Sequence, residues 1–338
     1  MIIKKSELNA LIDRLAGRYQ VFAPVKKGLD FYFAPVRSGA EVDLHYANSV
    51  IPPKGVLFPP TETLFTYAAG EAAADLQECL DNGKKVIFGL RPCDAQSFLL
   101  LDKVFCGDQY RDPYYLARRN NTILVGLGCN EPRTTCFCTS LGGGPFGAAG
   151  LDLLLVDTGD QYVVEAVSDQ GKDFAAGFAL APAGEADLAA AAKVKEAAAL
   201  TCTVNLAGLK EKMDKNYHDA VWDLVYERCL GCGACTYSCP TCHCFDLVDE
   251  AKDAAGCRLR NWDACMFGLF TLHGSGHNPR PTQKERFRQR FMHKFKYFTD
   301  NFAAVACVGC GRCILSCPVN IDIRQVLADI QGAGGDGK

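Results

Sequence analysis

The sequence has little net charge. Its 36 Lys and Arg nearly balance 39 Asp and Glu, for a formal charge of −3. No global field therefore favours nucleic acid or an anionic membrane. No apolar run approaches the ~18–20 residues that span a bilayer. Residues 1–20, MIIKKSELNALIDRLAGRYQ, carry charge every few positions and lack the apolar stretch and small-residue cleavage site of a secretory signal. A cytoplasmic protein is expected. Familiar catalytic sets are missing too: no Ser-His-Asp set, no H-E-x-x-H and no paired-carboxylate signature. The glycine-rich LGGGPFGAAG at 141–150 lacks the Lys-Ser/Thr of a P-loop. Gly126-x-Gly128 follows a strand, but Glu131 stands where a dinucleotide turn needs its third glycine. No flavin or nicotinamide site of the chain's own is expected.

Cysteine is what the sequence has in excess, with 19 residues. In a reducing cytosol they are not expected to be disulfides. Their clustering points to metal, iron–sulfur or thiol redox chemistry. Cys229-x2-Cys232-x2-Cys235-x3-Cys239-Pro240 is one bacterial ferredoxin run, and Cys307-x2-Cys310-x2-Cys313-x3-Cys317-Pro318 is another. Three thiolates two residues apart wrap one iron–sulfur cubane, and Gly231, Gly233, Gly309 and Gly311 let the backbone come close. The fourth cysteine starts a segment that leaves the first cluster and ligates the other. The expected sets are Cys229, Cys232, Cys235 and Cys317 for cluster one, and Cys307, Cys310, Cys313 and Cys239 for cluster two.

The first ~200 residues read as α/β. Ser6 is placed to cap a helix running to about Arg18, with Leu8, Leu11, Ile12 and Leu15 on one face. Residues 19–25 and 29–36 read as strands. EAAADLQECLDN at 71–82 reads as a helix stopped by Gly83. KVIFGL at 85–90 and TILVGL at 122–127 read as buried strands, with a helix over 95–105 between them. Residues 151–156 and 161–167 read as a hairpin, and the Ala-rich 184–200 as a helix. Strand–helix alternation favours a parallel or mixed sheet covered by helices, with functional groups at the strands' carboxyl ends. One strand there delivers Arg91, Cys93 and Asp94. The other delivers Cys129, with Cys136 and Cys138 shortly after. If the strands are neighbours, Cys93, Cys129, Cys136 and Cys138 form a thiolate set for a third [4Fe–4S] cluster, with Asp94 as an alternative ligand. Tetrahedral zinc and buried inert thiols remain open for the same four. Arg91 is placed to offset cluster charge or bind a partner.

The texture changes near residue 203. The expected division is an α/β domain over 1–203, an α-helical ferredoxin-type domain over 204–330, and a mobile glycine-rich tail over 331–338. Cys242, Cys244 and Cys265 belong to neither run. With Cys257, they are candidates for an extra metal site, for thiol redox chemistry, or for packing that tunes the clusters. His243 reads as solvent-facing filler, and His293 as structural or potential-tuning. Phe287, Phe291 and Phe295 form a buried helical stripe. The basic residues of 280–296 either offset cluster charge, dock an acidic partner, or face solvent. A nucleic-acid-binding or sensor role is the distant alternative, set back by the acidic balance.

The combination of LRPCDAQSFLLLDKVF, GCNEPRTTCFCTSLGGGP, CLGCGACTYSCPTCHCF, NWDACMFGLF and HKFKYF before CVGCGRCILSCPVNIDI spans nearly the whole chain. It resembles the iron–sulfur β subunit of sulfhydrogenase-type nickel–iron hydrogenases and the iron–sulfur relay subunit of anaerobic sulfite reductase. It is similar also to subunits of flavin oxidoreductases coupled to heterodisulfide reductase. The long segment between the two runs resembles the α-helical ferredoxins of respiratory iron–sulfur subunits. The resemblance implies a non-catalytic electron-transfer subunit of a multi-subunit oxidoreductase in an anaerobe. It also implies a flavoprotein partner handling NAD(P)H and a separate catalytic subunit. TETLF at 61–65 is shared with the family, and reads as a packing or docking segment.

Overall fold

The computed structural model describes residues 1–69 and 74–333. The strands are β1 (Ile2–Lys4), β2 (Gln20–Lys27), β3 (Asp30–Val36), β4 (Thr61–Ala69), β5 (Ala74–Glu78), β6 (Lys85–Leu90), β7 (Thr122–Leu127), β8 (Leu153–Asp157), β9 (Gln161–Ala166), β10 (Phe245–Lys252) and β11 (Ala255–Trp262). The early helices are α1 (Leu8–Ala16), α2 (Pro92–Phe105), α3 (Pro113–Asn120), α4 (Asp169–Ala176) and α5 (Glu185–Ala197). The later ones are α6 (Leu209–Lys215), α7 (Val221–Tyr226), α8 (Ala234–Tyr237), α9 (Gln283–Met292), α10 (Phe298–Phe302), α11 (Arg312–Leu315) and α12 (Ile323–Gly332). Among the described residues no helix is long and apolar enough to cross a membrane.

The first sheet is mixed, in the order β1-β9-β8-β7-β6-β2-β3. β6 and β7 are parallel neighbours in its centre, with Val86 opposite Ile123 and Ile87 opposite Leu124. Every residue of both strands is buried, as expected for strands covered on two faces. One face packs α1 through Leu8, Leu11, Ile12 and Leu15. The other packs Ala95, Phe98, Leu101 and Phe105 of α2. Pro92 sits in the first turn of α2, where its missing N–H costs nothing. Because β6 and β7 are parallel and adjacent, both deliver their cysteine loops to one end of the sheet.

Three expectations change. Ser6 does not cap the first helix: a single tight turn over Lys5–Glu7 precedes α1, and among the described residues no side chain bonds the helix start. The helix expected over 71–82 is replaced, where described, by β5, which pairs antiparallel with β4. Residues 70–73, the start of that expected helix, lie outside the described residues, as do residues 334–338 of the glycine-rich tail. Finally, the segment between the two cysteine runs opens with a hairpin, β10–β11, rather than with helices. This hairpin completes a second sheet, β10-β11-β4-β5. Glu62 on β4 holds that sheet to the first layer. Its carboxylate accepts from Arg118 of α3 at 2.5 Å and from Arg260 of β11 at 2.7 Å, all three buried. The TETLF segment is thus a packing element.

The carboxyl-terminal part is helical around a separate core. Phe287, Phe291 and Phe295 are all buried there beside Trp222, Met213 and Leu327. α9 widens into a π-helical turn over His293–Tyr297 before α10. Such bulges are frequent at functional sites. This one turns Lys294 inward.

Candidate iron–sulfur centres

Each ferredoxin run folds as a loop closed by a one-turn helix. Gly233 and Gly311 precede α8 and α11 with φ of 74° and 72°, a region glycine enters without strain. Gly309 and Gly311 are needed for a second reason. A Cβ on Gly309 would come within 2.6 Å of the Cys138 backbone nitrogen, and one on Gly311 within 2.4 Å of the Thr135 hydroxyl. The second run therefore lies hard against the 135–138 loop of the amino-terminal part. Phe137 N–H donates to the Gly309 carbonyl at 2.8 Å.

Three cavities follow. The first is lined by Cys229, Cys232 and Cys235 together with Cys317. Cys239 of the first run lines instead the second cavity, with Cys307, Cys310 and Cys313. Cys93, Cys129, Cys136 and Cys138 line the third, which Gly309 and Cys310 close. Cys313 borders the first and second cavities, and Cys310 the second and third. Among the described residues, no group of three or more His, Cys, Asp or Glu side chains converges tightly enough to grip a single metal ion.

The donor sets fit anionic clusters, and the surrounding charges say why. Lys294 is buried and donates to the Cys239 sulfur at 3.3 Å, Thr241 Oγ1 at 3.0 Å and the Ala306 carbonyl at 3.1 Å. Burial works against its charge, but the Cys239 and Cys242 sulfurs raise its pKa above the ordinary lysine value. Arg290 lies one helical turn earlier, lines both the first and second cavities, and is equally buried. Its Nε has no hydrogen-bond partner among the described residues. Neither cation is paired there with a carboxylate. A buried, unpaired cation is costly unless an anion faces it. Arg91 repeats the pattern at the third cavity. It is buried, gives Nη1 to the carbonyls of Leu127 and Gly128, and leaves Nε unpartnered among the described residues.

Burial pushes up the thiol pKa of Cys93, Cys129, Cys136, Cys235, Cys307 and Cys310, and takes Cys138 and Cys313 to about 12. Without a guest these sulfurs hold their protons; ligation requires thiolate. Amide groups already aim at several of the cysteines: Gly231 N–H at Cys229 (3.5 Å) and Ile321 N–H at Cys317 (3.2 Å). Gln283 Nε2 adds a donor to Cys229 at 3.4 Å. Such donors set cluster potentials.

Asp94 is committed elsewhere. Its two carboxylate oxygens accept from Arg312 at 2.6 and 2.8 Å, with both side chains buried. Sequence reasoning missed Arg312, which stands between Cys310 and Cys313 and ties the second run to α2; its position inside a cysteine run was the available signal. The basic stretch expected over 280–296 divides: Arg288, Arg290 and Lys294 are buried, while Arg280, Lys284, Arg286 and Lys296 stay partly exposed. His243 does not face solvent as expected. It packs against His293 (ring centroids 5.3 Å apart), Phe105 and Phe298, and burial lowers its pKa to about 4 and that of His293 to about 3.

Two further pairs of cysteines are neighbours. Cys242 lies near Cys239, whose sulfur is 3.2 Å from Thr241 Oγ1, and Cys265 lies near Cys244 and helps lower the Cys244 pKa to about 7. Cys257 lies towards the far end of the hairpin, opposite Glu250 and Thr66, away from these pairs.

Two cysteine runs with this closure define an iron–sulfur electron-transfer protein, and residues 228–321 match the family model of the 4Fe-4S dicluster domain. The chain is also 35% identical to "Sulfhydrogenase 2 subunit beta" of Pyrococcus furiosus over 324 residues, 94% of each protein. It belongs to the iron–sulfur β-subunit family of sulfhydrogenase-type hydrogenases. No solved structure matches it.

Proposed function

We propose that the chain is the electron-relay subunit of a cytoplasmic hydrogenase-type complex, standing between a flavoprotein that handles NAD(P)H and a catalytic redox subunit. Cys229, Cys232, Cys235 and Cys317 would hold one [4Fe–4S] cluster. Cys307, Cys310, Cys313 and Cys239 would hold a second, and Cys93, Cys129, Cys136 and Cys138 a third. A bound cubane supplies one-electron chemistry without proton transfer of its own.

The observation that carries this reading is the placement of Arg290 and Lys294, buried without carboxylates among the described residues and turned to the cysteine cavities. Cationic side chains compensate the clusters' negative charge and hold potentials up. Cys313 and Cys310, each bordering two cavities, keep successive sites adjacent. Cys232 and Leu230 reach the surface, so the first site is the point of exchange with a partner. The test is iron and sulfide per chain on anaerobically prepared protein, with EPR after reduction. About twelve irons per chain supports three cubanes; about eight removes the third. Protein prepared with the complex should co-purify with a flavoprotein.

A further inference from the structure

The second sheet ends on an unpaired strand. Among the described residues β10 pairs with β11 alone, and β10 is exposed along its whole length. The hydrogen bonds at the hairpin's mouth show which backbone groups are free. Asp263 N–H donates to the Cys244 carbonyl, while Trp262 N–H donates the other way, to Pro60 before β4. In an antiparallel pair such bonding alternates. Asp246, Val248, Glu250 and Lys252 therefore bond β11. Phe245, Leu247, Asp249 and Ala251 turn their N–H and C=O groups to the open edge.

The first sheet has protected edges. At one end β1 is only Ile2–Lys4; at the other β3 contains Pro35, and its Phe31 carbonyl accepts from Val50 N–H. Short strands, proline and covering segments all blunt an edge. β10 is longer, contains no proline, and its outward groups have no backbone partner among the described residues. Its side chains are mixed: Phe245, Leu247 and Val248 are exposed beside Asp246, Asp249 and Glu250. Asp249 is held by Arg258, which leaves Asp246 and Glu250 to meet a cation. A second copy of the chain is a poor occupant. The strand's acids outnumber its one base, Lys252, and two copies paired about Val248 set Asp246 opposite Glu250. A segment carrying Lys or Arg is drawn to the same edge. Phe245 and Asp246 also wall the cleft of about 580 Å³ that Leu230, Phe267 and Leu269 line beside the first cysteine run.

We propose that the free edge of β10 docks the subunit that exchanges electrons at the first site. An extended segment of that subunit, carrying Lys or Arg, adds to the second sheet as a further strand. Its backbone bonds Phe245, Leu247, Asp249 and Ala251, its basic side chains meet Asp246 and Glu250, and its end enters the cleft beside Leu230. Main-chain bonds of this kind give affinity, and side chains give specificity. The existence of the partner rests on the electron-relay reading; the mode of docking is tested separately.

The experiment compares the cluster-loaded chain alone with the complex that co-purifies with it, by hydrogen exchange read residue by residue in a mass spectrometer. In the free chain Phe245, Leu247, Asp249 and Ala251 should exchange fast, and Val248 and Glu250 slowly. In the complex those four amides should slow by about 100-fold. Leu247→Pro deletes one outward N–H and spares the bonds to β11. It should weaken association by about tenfold with iron content and EPR unchanged, while Leu247→Thr binds as the parent does. Asp246→Lys with Glu250→Lys should also weaken it by about tenfold. Unchanged exchange of the four amides in the complex overturns the proposal, and so does their protection by a second copy of the chain. Leu247→Pro binding as tightly as Leu247→Thr overturns it too. The exchange measurement needs no variant and decides the matter if Leu247→Pro loses iron. If no other subunit co-purifies, the relay reading falls and this proposal with it. If one does and the β10 amides stay fast, the docking mode alone fails.

Discussion

The two ferredoxin runs have the same spacing and nearly the same backbone, yet opposite surroundings. Leu230 of the first run is 67% exposed, while Val308, its counterpart, is 1% exposed. Cys232 is exposed and Cys310 is buried. Ala234 opens the first short helix. Arg312 opens the second and is locked onto Asp94 and Ser49. The first run faces outward, beside a cleft of about 580 Å³ lined by Leu230, Phe245, Phe267 and Leu269. The second is sealed by the 135–138 loop. One motif thus provides an interface site and an interior site, and the difference lies in what packs on the loop.

The comparison can be broken most severely at the buried run. Cys310→Ala should remove about four irons and also disturb the third site, since Cys310 borders both cavities; Cys232→Ala should cost iron at the first site alone, as read by iron analysis and EPR. Arg312→Met leaves Asp94 as an uncompensated buried carboxylate, and denaturation should show a loss of about 3–5 kcal/mol; Ala234→Met, at the matching position of the outer run, should cost far less. Arg290→Gln tests what the runs share. Both midpoint potentials should fall, by about 60 mV if the charge is worth a tenfold change in a one-electron equilibrium, in EPR-monitored titration. Leu230→Asp should be the mildest, with stability within about 0.5 kcal/mol, unchanged iron, and slower electron exchange with the co-purifying partner by stopped flow.

The centre of the first sheet was legible because β6 and β7 are buried on both faces and therefore read as near-continuous apolar runs. β6 and β7 are parallel neighbours joined by a crossover through α2 and α3, and this brings Cys93 and Cys129 to one end. Spacing predicts the crossed grouping of Cys239 and Cys317, and each lines the cavity of the other run. The second sheet was not. β10 is exposed along its whole length, and the described side chains of β5 are exposed too, so neither shows the alternation that marks a half-buried strand. In EAAADLQECLDN, local helix preference yields to pairing with β4, a tertiary term invisible in a local window. Offsetting cluster charge was one of three readings of the basic residues over 280–296, and which of them turn inward was not legible, because sequence shows charge but not the anion it is folded against. Cys244 and Cys265 were recognised as outside the runs, but their proximity depends on a hairpin that was not foreseen.

The second sheet also sets an order of assembly. β4 and β5 leave the ribosome early, but their partners β10 and β11 follow only after the whole first sheet has been made. Until then Glu62 has one arginine instead of two, and Arg118 lacks its finished layer. Cys239 likewise waits for the second run. Completion of the cages is therefore a late, whole-chain event, and a ribosome that stops before residue 317 releases a chain whose first ferredoxin-type site lacks its fourth wall.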